Sequence, residues 1–168
     1  MLAAARSVDR SDVLAALGEV ADPEIPNVSV VELGMIGEIS VADDLIQVQV
    51  LPTFVGCPAL EVIRDTVAAR LAAFGLPVRV DVSFATPWSS DRISPAGREK
   101  LRQSGFAPPP PTRPGRGLPM LDSIAAPVAC PHCGSLRTTL ESIFGPTQCR
   151  SIRHCPDCGQ PFEAFKPV

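Results

Sequence analysis

CPHCGSLRTTLESIFGPTQCRSIRHCPDCG, residues 130–159, holds five of the chain's six cysteines. Four of them form two CxxCG pairs, Cys130 with Cys133 and Cys155 with Cys158, and the fifth, Cys149, lies between the pairs. A CxxC pair bends its backbone so that both sulfurs face one point, and the glycine that follows relieves the turn. Two such knuckles supply four thiolates in a tetrahedron, the arrangement that suits Zn²⁺. The 21 residues between Cys133 and Cys155 have room for a hairpin, with arms expected at 137–143 and 150–153. The module, residues 127–168, is too short to hold itself together with an apolar core and needs a metal or disulfides.

The choice between those two follows from compartment. The opening MLAAARSVDRSDVLAAL lacks a continuous apolar run and meets Asp9 and Asp12 early, so no signal peptide is expected. An unexported chain is cytoplasmic and keeps its thiols reduced, which favours metal. Rubredoxin-type iron uses the same four sulfurs, but without aromatic packing around the knuckles zinc is the expected metal. With Cys at all four positions no ligand place is open, so the expected zinc is structural. His132 and His154 adjoin the ligands and are not needed by them. Cys149 has two readings. One is a buried residue on a ribbon strand, which the spacing favours. The other is a spare thiol whose pKa Arg150 and Arg153 lower.

Upstream, the composition changes twice. APPPPTRPGRGLP cannot pack a core or build a ladder and reads as an extended, polyproline-like linker over 107–126. Residues 1–106 carry 9 Lys and Arg against 14 Asp and Glu, whereas residues 130–168 carry 4 against 3. The expected organisation is an acidic α/β domain (1–106), a stiff tether that decouples, and a small ribbon (127–168). The net charge of −3 leaves no basic footprint for nucleic acid, and no apolar run approaches the ~20 residues that span a bilayer.

Within the first domain, Val13, Leu14, Leu17 and Val20 repeat at helical spacing, with Ser11 as a candidate cap. The two prolines of Asp22-Pro23-Glu24-Ile25-Pro26 end that helix. Strands are expected at 36–41 and 45–51 around a turn at Ala42-Asp43-Asp44. Leu60, Ile63, Val67, Leu71 and Phe74 mark the clearest amphipathic helix, with Pro58 in its first turn and Gly75 at its end. A third strand is expected over 78–84 and a short helix near 96–103.

Cys57 stands at the start of that amphipathic helix, after a loop containing Thr53 and Gly56. Backbone N–H groups and the helix dipole favour a thiolate there. A reactive or metal-binding thiol and a buried cap-like cysteine are both consistent with the position. Asp22 and Glu24 flank Pro23 in a rigid loop and are either metal ligands or capping and solubilising groups. No Ser/His/Asp set, phosphate loop or dinucleotide motif is present, so no self-sufficient catalytic residue is assigned. A di-iron centre needs several Glu and a Glu-x-x-His pattern on helices, and neither histidine has that context.

Three phrases carry a resemblance: DPEIPNVSVVELGMIGEI (22–39), PTFVGCP (52–58) and TPWSSDRISPAGREKLRQSGFAPP (86–109). Together they resemble the iron–sulfur cluster assembly domain of the MIP18-like family, over roughly residues 8–110. FGPTQCRSIRHCPDCGQPFEAFK (144–166) narrows the match. The combination resembles the family of accessory subunits encoded with the bacterial phenylacetyl-CoA ring 1,2-epoxidase. The resemblance implies an α+β chain, a small α/β sandwich followed by linker and zinc ribbon, that serves aerobic phenylacetate degradation. It implies work in iron–sulfur or iron-centre maturation for the epoxidase's reductase or di-iron oxygenase component. It places the family's signature cysteine on Cys57, its acidic loop on Asp22 and Glu24, and the extra cysteine on Cys149. A transient iron or cluster site is therefore expected among Cys57, Cys149, Asp22, Glu24 and Thr53. Cys149 joins it only if the module folds back onto the first domain. A structural adaptor without metal transfer is the alternative.

Overall fold

The computed structural model describes residues 7–110 and 126–167. The expected linker falls largely at 111–125, outside the described residues, as do residues 1–6.

Helix α1 spans Arg10–Leu17. Its cap is Asp9 rather than Ser11: the Asp9 carboxylate accepts from the N–H groups of Ser11 and Asp12, and the Asp12 carboxylate accepts from the Asp9 N–H. The helix starts at Arg10, so Ser11 lies inside it and Asp9 holds the cap place, where its carboxylate meets two free N–H groups and the positive end of the dipole. After the proline loop, β1 (Ile36–Ala42) and β2 (Leu45–Val50) form a hairpin in which Ala42 pairs with Leu45, so the turn is Asp43-Asp44 alone. Helix α2 (Leu60–Ala72) then crosses back, and β3 (Val78–Val82) pairs parallel with β2. Pro58 precedes α2 rather than opening it. The sheet order is β1-β2-β3.

The core is where the sequence periods meet. Ile46, Val48 and Val50 of β2 face Ile63, Val67 and Leu71 of α2 and Val13 and Leu17 of α1, all buried. The alternate β2 positions Gln47 and Gln49 stay on the polar face. The TPWSSDRISPAG phrase straps in place the loop ahead of β1 that holds Leu33 and Gly34, the LG loop. Trp88 is buried and donates its indole N–H to the Leu33 carbonyl at 2.9 Å; Arg92 donates to the carbonyls of Gly34 and Ile36, each at 2.9 Å. Gly97, in helix α3 (Pro95–Gln103), lies so close to the Glu32 backbone that a Cβ there would sit 2.6 Å from its carbonyl oxygen. These residues of the resemblance build the scaffold.

The ribbon is larger than a hairpin. Its sheet has the order β4-β7-β6-β5, from β4 (Phe106–Ala107), β5 (Thr139–Ser142), β6 (Arg150–Cys155) and β7 (Gln160–Phe165). Strand β4 is the chain leaving the first domain, and it pairs parallel with β7 through Phe106↔Glu163 and Ala107↔Ala164. Phe165, only 6% exposed, packs into the first domain's core and meets Phe106 edge to face at 6.3 Å. The decoupling expected of the tether therefore fails at its first residues: paired backbone and shared apolar contacts seat the ribbon on the α/β unit. Among the described residues no helix is long and apolar enough to cross a membrane.

Candidate functional site

The knuckles fold as the spacing predicts. Gly134 and Gly159 follow them at φ 77° and 72°, and their N–H groups donate to the carbonyls of Cys130 and Cys155 at 2.9 and 2.8 Å. The sulfurs of Cys130, Cys133, Cys155 and Cys158 all lie within 4.8 Å of one another. Ser135 and Arg137, just past the first knuckle, both hold the Asp157 carboxylate of the second. The Ser135 N–H favours a Cys133 thiolate, but desolvation and the three neighbouring sulfurs outweigh it and push that thiol up to about 12. Four thiols this close cannot all ionise without a cation among them, and one divalent ion removes the conflict. The donor set thus fits Zn²⁺ in a closed four-thiolate site. His132 and His154 are outside it.

Five other residues named from the sequence meet at the seam between the two units. Asp22, Glu24, Thr53, Cys57 and Cys149 line one cavity of about 20 Å³, with Leu33, Met35 and Phe165 as apolar wall. Its enclosed part has room for one water or one monatomic ion, and the pocket opens to solvent beyond it. The first domain supplies Asp22 and Glu24 from the proline loop, and Thr53 and Cys57 from the β2–α2 loop. The ribbon supplies Thr147 and Cys149 from the turn before β6. Among the described residues only the four ribbon cysteines gather as a ready ligand set; the five seam residues share a cavity without closing to that distance.

Each seam residue has a defined hold. Asp22, 9% exposed, accepts at Oδ1 from the N–H groups of Glu24 (2.9 Å) and Ile25 (3.0 Å). Burial pushes its carboxyl up, against those two bonds and the attraction of Arg150. Cys57 lies ahead of α2, whose first cap position, Ala59, has no side-chain cap. Burial pushes the Cys57 thiol up; the Ala59 N–H on its sulfur pulls the other way, and Cys149, Asp22 and Glu24 push it up further. The helix start alone predicts a thiolate, but burial beside acids and a second thiol reverses the balance. A cation in the cavity would restore it. Cys149 is half-buried, its sulfur 3.2 Å from Thr147 Oγ1.

The sequence places Arg150 beside Cys149 as a perturbing charge, but its guanidinium is engaged elsewhere. It donates to Glu24 Oε2 at 2.8 Å and to Thr147 Oγ1 at 2.7 Å, and lies 2.9 Å from Glu163 Oε2 as an ion pair. It also stacks over the Phe106 ring at 5.3 Å. The side chain is 7% exposed. Sequence reading missed Thr147 and Phe165 as wall residues and Arg150 as the bridge. Their partners are over 100 positions away or on strands, β4 and β7, that the spacing did not reveal.

A zinc ribbon seated on a small α/β domain with a cysteine-bearing loop is the class that these features define. Residues 10–84 match the family described as iron–sulfur cluster assembly protein, and residues 119–166 match the PaaD zinc beta ribbon domain. The chain belongs to the PaaD family. It is 33% identical over 158 residues to a protein of Escherichia coli K12 that is provisionally named as one of the subunits of 1,2-phenylacetyl-CoA epoxidase; the match covers 94% of this chain and 92% of that one. Two solved structures are similar. A conserved hypothetical protein from Thermotoga maritima is 31% identical with a TM-score of 0.51, over 58% of this chain and 98% of that one. A domain of unknown function (DUF59) from Bacillus anthracis is 26% identical with a TM-score of 0.51, over 54% and 89%.

Proposed function

We propose that the chain is an accessory subunit of a phenylacetyl-CoA epoxidase and that its seam cavity carries iron, or an iron–sulfur cluster in passage, to a partner subunit. One observation carries this reading: a thiol from each unit, Cys57 and Cys149, shares a cavity with the buried Asp22. The family match to iron–sulfur assembly proteins and the name of the E. coli relative support the client and the cargo. The chain itself does no ring chemistry; its four-thiolate site holds zinc and keeps the ribbon folded.

A delivery site needs soft ligands, few of them, and at least one place left open for handover. Two thiols and one carboxylate meet that description. The test is epoxidase made beside Cys57→Ser. The expected result is that the variant folds and keeps its zinc, while a partner subunit lacks iron or cluster and epoxidase activity falls at least tenfold. Fully metallated, active epoxidase would remove the carrier reading and leave a structural adaptor.

A further inference from the structure

We propose that the outer edge of β3 is a self-complementary pairing surface, on which the β3 of a second copy of this chain joins antiparallel about a two-fold axis at Val80. This is independent of the carrier reading, because no seam residue lies on β3.

The edge is unpaired and regular. In the order β1-β2-β3 it is a border strand, and among the described residues β2 alone pairs with it. The Ile46 N–H donates to the Pro77 carbonyl and the Ser83 N–H to the Val50 carbonyl. With Ile46 opposite Val78 and Val50 opposite Val82, the odd-numbered residues of β3 turn their backbone groups to β2. Val78, Val80 and Val82 therefore turn their N–H and C=O groups outward. The other borders are broken or short: β1 shifts register between Ile36 and Ile39, β5 between Leu140 and Ser142, and β4 has 2 residues. Strand β3 has no register shift, proline or lysine, the features that blunt an edge.

The occupant follows from charge. The strand reads Val78-Arg79-Val80-Asp81-Val82, apolar at alternate places with opposite charges mirrored about its centre. Turned antiparallel about Val80, it sets Val80 on Val80, Val78 on Val82, and Arg79 on Asp81 of the second copy. The valines then take the hydrogen-bonded pairs, where their outward backbone groups already point. Arg79 and Asp81 take the other pairs, where Cα atoms approach to about 4.5 Å and side chains meet most closely. Within one chain Arg79 holds Asp81 through Nε at 3.0 Å, which leaves the outer nitrogens of its exposed guanidinium for the carboxylate opposite. A parallel copy in register has no such match, since it sets Arg79 on Arg79. Antiparallel pairing joins two three-stranded sheets into one and covers the edges of three half-buried valines. So short an interface makes a weak dimer that forms only as concentration rises.

The test is sedimentation velocity of the zinc-loaded full chain over a wide range of concentration. Wild type should pass from monomer to dimer. Arg79→Asp alone sets acid against acid in both symmetry-related pairs, and Asp81→Arg alone sets base against base. Each should weaken the dimer at least tenfold. An equimolar mixture of the two variants restores opposite charges at every pair, so it should associate as wild type does. That recovery also shows both variants to be folded. A dimer indifferent to either variant overturns the proposal, as does a mixture that stays monomeric. Wild type that stays monomeric throughout overturns it too, and leaves the edge to a strand of another protein.

Discussion

Glu32 sits at the start of the LG loop, with Lys100 Nζ 2.6 Å from one carboxylate oxygen and the Ser29 N–H on the other at 2.9 Å. Burial pushes its carboxyl up, but those contacts together outweigh it and hold the pKa below the usual value. The unfolded chain therefore binds this proton more readily than the folded one. The stabilisation is present above the unfolded pKa and is lost as pH falls through the lower, folded value. Stability measured by urea should thus drop between about pH 5 and pH 3, and Glu32→Gln should flatten that part of the profile. Identical slopes in variant and wild type would contradict the assignment. Asp22 and Cys57 shift the opposite way because burial wins: it outweighs two backbone N–H bonds and the attraction of Arg150 at Asp22, and the Ala59 N–H at Cys57, where Cys149, Asp22 and Glu24 add to it. The identity of such residues is legible in the sequence. The direction of their titration is not, because it depends on neighbours from remote loops.

Among the elements, the glycines separate two causes that a sequence motif blends. Gly34 has φ 69° and a Cβ there would meet the Arg92 carbonyl oxygen at 2.4 Å; Gly56 has φ 84° with nothing within 4 Å. Gly34→Ala incurs both left-handed strain and a backbone clash and should lose about 3 kcal/mol. Gly56→Ala incurs the strain alone and should lose about 1 kcal/mol. Denaturant unfolding of both variants checks the ranking, and equal losses would refute it. Helices α2 and α3 and the β1–β2 hairpin were readable because their apolar periods, prolines and turn residues act within a few positions. The two-residue strand β4 was not. It has no period and reads as the start of a proline segment; only its partner β7 makes it a strand.

For the whole molecule, the ribbon and the α/β unit share Phe165 and Phe106, a strand pairing and the Arg150 bridge. Metal loss should therefore reach both. Cys130→Ser, or a chelator acting on the ribbon, should unfold the ribbon and expose Phe165's place in the first core, lowering the melting temperature of the remainder. Calorimetry should give one transition in the zinc-loaded chain and a weaker, lower one after chelation. An α/β transition at the same temperature with and without zinc would mean that the units are independent.

By itself the sequence determined what local chemistry can encode. Two CxxCG knuckles specify a four-sulfur site because their spacing forces the sulfurs together. The 3.6-residue and two-residue periods specify the helices and strands of an α+β chain. Cys57, Asp22, Glu24, Thr53 and Cys149 were nameable as candidates from motif and resemblance. Tertiary structure alone decided that all five line one cavity, that Arg150 joins Glu24, and that burial pushes the Cys57 thiol up despite its place ahead of a helix. Those facts rest on contacts between residues far apart in the chain and on burial at a seam. Neither leaves a periodic mark in the sequence, since each side chain satisfies its own local pattern wherever the ribbon happens to dock.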